Sequence, residues 1–175
     1  MQPWFKEAKL GIFIHYGIYS VRGIAESWYF RSSPLTRYKP YMKQIKGFTA
    51  KNYDPEYWAK LFKDAGAKYA VLTTKHHDGV ALFDTKFSDL SVVKKSPAKR
   101  DLVAPYCDAL RNNDLRVGLY FTQCDWSAKD YTAKTWHPVK YFIDTYFLNK
   151  KHWKMFKQFH RSQPVSYTHL RAHET

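Results

Sequence analysis

Three short apolar runs punctuate the chain: Leu10–His15 (LGIFIH), Tyr69–Thr74 (YAVLTT) and Arg116–Phe121 (RVGLYF). Each is about six residues long and continuous, without polar alternation. That is the pattern of parallel strands covered by helices on both faces. Between these runs the period changes. Asp54 followed by Pro55 reads as an N-cap with proline at the first helical position. Trp58, Leu61, Phe62 and Ala65 then recur at i, i+3, i+4 and i+7, and Gly66 closes the helix. Asp101 is placed to cap a second helix from Leu102 to Asn112, with Leu102, Val103, Tyr106 and Leu110 along one face. Pro105 falls in its first turn, where a missing N–H is tolerated. The order is strand, long insertion, helix, strand, loop, helix, strand. It predicts a βαβαβ unit with right-handed crossovers, and so an α/β protein.

The insertion from about Val21 to Lys51 mixes Gly, Ser, Pro and aromatic residues without a period. A connection of that length is expected to be a functional loop or a small subdomain. A last helix is expected from about Asn149 to His160, with Trp153, Phe156 and Phe159 at i, i+3 and i+6. From Gln163 onward no period and no cap follow, and Val165–Thr175 reads as a foreign tail. The domain is therefore assigned to residues 1–161, and 162–175 to a non-native tail. The strands start near positions 10, 69 and 116, and an eight-stranded barrel with such spacing needs far more than 175 residues. On this reading the chain is part of a larger domain.

Composition changes the picture only partly. With 29 Lys+Arg against 15 Asp+Glu the formal net charge is +14, which raises a nucleic-acid partner. Lys150, Lys151, Lys154, Lys157 and Arg161 form one basic cluster, and Lys94, Lys95, Lys99 and Arg100 another. No zinc-finger spacing, RNP-like motif or helix-turn-helix pattern accompanies them, so solvated surface is the expected reading and no nucleic-acid partner is expected. With 18% aromatic residues, the chain has the apolar surface to fold. No apolar run of about 18 residues exists, so no membrane span is expected. The first six residues carry no apolar leader segment. Cys107 and Cys124 do not make a disulfide framework.

In α/β folds the site lies at the carboxyl ends of the strands. Here the first run ends in His15-Tyr16-Gly17, the second continues into Lys75-His76-His77-Asp78-Gly79, and the third is followed by Gln123-Cys124-Asp125-Trp126. Histidine donates to and accepts from hydroxyls, and Trp offers an apolar plate. A polyhydroxylated ring with an apolar face uses both, so a sugar is a natural ligand. A metal held by His15, His76, His77 and Asp78 is the competing reading. Against it, adjacent His76 and His77 cannot face one side of an extended strand, and no His-x-His pair accompanies them. Sugar cleavage needs two carboxylates, and the candidates at the rim are Glu26, Asp78 and Asp125. Asp78, before Gly79, also fits a turn-bonding role, and Asp125 a loop anchor.

These residues resemble the amino-terminal part of glycoside hydrolase family 29, the α-L-fucosidases. The carrying segments are Trp4–Gly17 (WFKEAKLGIFIHYG), Asp54–Trp58 (DPEYW), Ala65–Tyr69, Thr73–Gly79 (TTKHHDG), Arg100–Leu102, and Gly118–Phe121 with Asp125 and Trp126. The resemblance implies the first three βα units of a truncated (β/α)8 TIM-type barrel. It implies removal of α-L-fucose from glycans by a retaining mechanism, with no metal or organic cofactor. His15, His76, His77 and Tyr120 match fucose-pocket residues, and Glu26 and Trp28 match the family's pocket Glu and Trp. The family sets those two side by side, whereas here Ser27 intervenes. The family's Asp nucleophile, at the end of the fourth strand, and its acid/base lie beyond this chain, which implies an inactive fragment. The implied partner is a fucosylated glycan, and the implied location of the full enzyme is extracellular, periplasmic or lysosomal. The alternative reading is a non-catalytic carbohydrate-binding module on the same rim. Oligomeric state is left open.

Overall fold

A computed structural model describes residues 3–29, 38–122 and 125–127 of the chain. The helix expected near 149–160, the tail at 162–175, and Gln123 and Cys124 lie outside the described residues. Three parallel strands, β1 (Gly11–Ile14), β2 (Tyr69–Lys75) and β3 (Arg116–Phe121), form a sheet in the order β1-β2-β3. Gly11 pairs with Tyr69 and Ile14 with Leu72, while Tyr69 pairs with Arg116 and Leu72 with Leu119. The three expected strands are therefore present, with ends moved by a residue or less.

The side-chain rows of the sheet follow from this register. Ile12, Ala70 and Val117 form one row and Ile14, Leu72 and Leu119 another, and both rows pack into the core. Phe13, Val71 and Gly118 form a row on the opposite face. Phe13 is 51% exposed. The expectation that both faces are covered holds for only one face among the described residues. At the base of the open face lies the short helix α1 (Pro3–Glu7). Its Trp4 and Phe5 rings stand 5.8 and 5.4 Å from the Tyr69 ring, and the Arg116 guanidinium sits 4.6 Å over Trp4. A Cβ at Gly11 would enter the Tyr69 ring, so any larger residue there would force that ring to move.

A 3-10 helix at Ile18–Val21 leads into the insertion, which contains helix α2 (Tyr38–Met42) and a second 3-10 helix at Lys43–Gly47. Tyr41 and Phe48 from this region are buried in the core with Ile18. Helix α3 (Pro55–Asp64) starts as expected, with the Asp54 carboxylate accepting from Tyr57 N at 2.9 Å. It ends at Gly66, whose φ of +85° suits glycine and whose N–H donates to Lys63 O. Its buried face differs from the one expected. Ala59 is buried and Trp58 and Phe62 pack on the core, but Leu61 is 52% exposed and Ala65 is exposed. The helix meets the core along the 58-59-62 flank, and the 57-61-65 flank has no cover among the described residues.

A long loop carries helix α4 (Val92–Lys95), capped by the Ser91 hydroxyl, to helix α5 (Val103–Asn112). Asp101 Oδ1 accepts from Val103 N and Ala104 N at 2.7 and 3.0 Å, as expected of the cap. Leu102, Val103, Tyr106 and Leu110 are all fully buried. Each such burial stabilises by about 1.5–3 kcal/mol. Three of the four cations in the Lys94–Arg100 cluster tie down carbonyls: Lys94 to Thr85 and Ser88, Lys99 to Lys94, and Arg100 to Ala50. That part of the basic excess is structural.

Candidate sugar-binding rim at the strand ends

Because the strands are parallel, their carboxyl ends lie at one edge of the sheet, and the chemistry-bearing residues follow directly. His15 leaves β1, His76 and His77 leave β2, and Tyr120 sits near the end of β3 with Thr122 just after it. The His76 ring lies 5.2 Å from His15, 4.6 Å from His77 and 5.8 Å from Tyr120. The His77 ring stacks on Trp126 at 4.4 Å, and Trp28 stands edge-on to both, 5.1 and 4.9 Å away. Five of the six expected site residues thus join one continuous ring cluster. Trp126, from the loop after β3, joins it as well.

Strand alternation does not separate His76 from His77. β2 ends at Lys75, and both histidines lie in the turn that follows, where His76 O accepts from Gly79 N at 3.0 Å. Freed from the pleat, both imidazoles turn to the same rim. Each is held at Nδ1 by a hydroxyl from another segment. Ser27 Oγ meets His76 Nδ1, and Thr122 Oγ1 meets His77 Nδ1 at 2.9 Å. Burial, reinforced by His77 and His15, lowers the His76 pKa to about 3. The ring is therefore neutral near pH 7 and offers one donor and one acceptor.

Glu26, the sixth expected residue, is turned onto its own loop. Its Oε2 accepts from Trp28 N at 2.8 Å, and it is Ser27 that reaches the His76 ring. The sign of that exchange in the sequence was the placing of Ser27 between Glu26 and Trp28.

The two rim aspartates serve the scaffold. Asp78 is buried and accepts from Val80 N at 2.9 Å and from the Tyr41 hydroxyl at 2.8 Å. Burial pushes its pKa up to about 6. Asp125 pairs with Lys75 at 2.5 Å, with both side chains out of solvent, and also accepts from Ser127 N at 2.9 Å. Burial lowers the Lys75 pKa, and Asp125 opposes that shift. Gly79 lets this corner close. Its φ is +83°, and a Cβ there would run into Asp125 and Ser127. Lys75, Tyr41, Ser27 and Thr122 went unrecognised in the sequence. Lys75 left a signal of its own, a lysine at the end of an apolar strand. Among the described residues no group of three His, Cys, Asp or Glu is arranged to hold a metal ion.

The arrangement sets imidazole and indole surfaces beside hydrogen-bonding ring nitrogens, and it suits a ligand with hydroxyls on one side and an apolar edge on the other. Comparison with known proteins points the same way. A family model for α-L-fucosidase matches residues 1–164. Tissue α-L-fucosidase of Bos taurus is 35% identical over 160 residues, which are 82% of this chain and 34% of that protein. Plasma α-L-fucosidase of Homo sapiens is 37% identical over 142 residues, 72% of this chain and 30% of that one. Among solved structures, α-L-fucosidase isoenzyme 1 from Paenibacillus thiaminolyticus has a TM-score of 0.72 at 36% identity and covers 91% of this chain and 37% of its own. Thermotoga maritima α-fucosidase in complex with fucose gives 0.69 at 36% identity. The chain spans about a third of the length of the curated relatives it matches. With a family match over nearly its whole length, the chain belongs to the α-L-fucosidase family.

Proposed function

We propose that this chain forms the fucose-binding part of a retaining α-L-fucosidase with a (β/α)8-type barrel. The observation that carries the reading is the ring cluster of His15, His76, His77, Tyr120, Trp28 and Trp126 at the carboxyl ends of three parallel strands. The imidazoles of His15, His76 and His77 hydrogen-bond the hydroxyls of α-L-fucose, and Trp28 lies against its apolar edge. A retaining hydrolase then needs a carboxylate to attack the anomeric carbon and a carboxylic acid to protonate the leaving oxygen. Asp78, Asp125 and Glu26 are each committed to a turn, an ion pair or their own loop. On this reading both catalytic carboxyl groups come from sequence outside the three described βα units.

The substrate is a fucosylated glycan. Similarity to a protein named a plasma α-L-fucosidase supports action outside the cytoplasm for the complete enzyme. No helix among the described residues is long and apolar enough to cross a membrane. The carbonyl contacts of Lys94, Lys99 and Arg100 argue against a phosphate-tracking role for that cluster.

Two measurements test the proposal. Calorimetric titration of the chain with L-fucose is expected to show binding, and its absence would overturn the sugar site. Incubation with nitrophenyl α-L-fucoside is expected to release no nitrophenol. Release at the rate of a full-length relative would overturn the assignment of both carboxyl groups to sequence outside this part.

A further inference from the structure

The loop that carries Trp28 does a second job. Tyr29 N donates to Glu26 O at 2.9 Å and Trp28 N to the Glu26 carboxylate at 2.8 Å, which closes a tight turn around Ser27. That turn drives the Ser27 side chain inward. The residue is fully buried, although Trp28 beside it is 42% exposed. A buried hydroxyl needs a partner, and among the described residues the Ser27 hydroxyl meets one group, Nδ1 of His76.

We infer that Ser27 is a positioning residue for this site: its hydroxyl donates to Nδ1 of His76, keeps the ring proton on Nε2, and so presents His76 to the sugar as a hydrogen-bond donor. The inference rests on the sugar-binding reading for its consequence, though not for its geometry.

Hydrogen-bond accounting decides the direction. If Nδ1–H donated to Ser27, the serine hydrogen would be buried without an acceptor, which is the expensive kind of unmet group. If the serine donates, every buried hydrogen in the pair is used. The remaining Ser27 lone pairs are acceptors, whose neglect costs less. The ring is neutral for independent reasons, burial and the adjacent His77 and His15 rings, so it has one proton to place. With Nδ1 occupied as an acceptor, that proton lies on Nε2. A serine between Glu26 and Trp28 thus sets what His76 says to a ligand without touching the ligand itself.

Long-range 1H–15N correlation spectra of the histidine rings of the chain, with His76 assigned by His76→Gln, test this directly. The expected wild-type pattern for His76 is an unprotonated Nδ1 and a protonated Nε2. Nδ1–H in the wild type would overturn the inference before any Ser27 variant is made. Ser27→Ala is expected to move His76 towards a mixture of tautomers and to weaken L-fucose binding about tenfold, the loss of one well-made hydrogen bond. Ser27→Thr, which keeps the hydroxyl, is expected to restore both. Ser27→Ala with wild-type ring signals and wild-type affinity would overturn the inference. The two readings fail separately. The expected tautomer without L-fucose binding sinks the sugar site and leaves Ser27's hold on the ring standing. L-fucose binding with a tautomer indifferent to Ser27 does the reverse.

Discussion

The Lys75 ammonium and the Asp125 carboxylate meet at 2.5 Å at the end of β2, with the two side chains 0% and 1% exposed. Taking two charges out of water is costly, and the pair holds only while both members are present. Lys75→Met is expected to cost about 3–5 kcal/mol, because Asp125 is left charged and dry. Adding Asp125→Asn should recover part of that loss. A double-mutant cycle by urea denaturation checks this, and single and double variants that simply add would sink the claim of coupling.

Gly79 lies under the same corner. Gly79→Ala places a methyl against Asp125 and Ser127 at a φ of +83°. The expected cost is about 1–3 kcal/mol from strain alone. A melting temperature equal to wild type would show that the corner relaxes freely.

Stability should also depend on pH in two opposed ways. The folded His76 pKa is lowered to about 3 from 6.5. Its contribution is present above pH 6.5 and is lost as the pH falls towards 3, since the unfolded ring takes a proton that the folded ring refuses. The folded Asp78 pKa is raised to about 6 from 3.8. Its contribution is full below pH 3.8 and is lost as the pH rises through 6. His76→Gln is therefore expected to flatten the acid-side loss, and Asp78→Asn to remove the decline between the two Asp78 values. Thermal melts of the three proteins across this range separate the two effects. Parallel curves would refute both.

Trp28 offers its ring edge-on to His77 and Trp126 while remaining 42% exposed. Trp28→Ala is expected to weaken L-fucose binding about tenfold, in line with the loss of one aromatic contact. Trp28→Phe should keep most of the affinity. Calorimetric titration measures both, and an unchanged affinity in Trp28→Ala would remove this residue from the site.

Much of this was legible in the sequence. The strands, the Asp54 and Asp101 caps and the Gly66 stop follow local rules of period and hydrogen bonding, and the structure repeats them to within a residue or so. The positions of His15, His76, His77 and Tyr120 at the strand ends followed from the parallel order. The outer face of α3 was less legible. Leu61 keeps the helical period but faces away from the core, because period marks an apolar stripe without saying which flank a neighbour covers.

The sequence by itself determined which segments are strands and helices and which side chains arrive at the carboxyl edge of the sheet, since each of these depends on residues a few positions apart. Tertiary structure alone decided how that edge works. It turned Glu26 onto its own loop, put Ser27 on His76 across 49 residues and Thr122 on His77 across 45, and buried Lys75 against Asp125. Those pairings depend on the packing of distant loops, where a partner is chosen by which polar groups lose their water together.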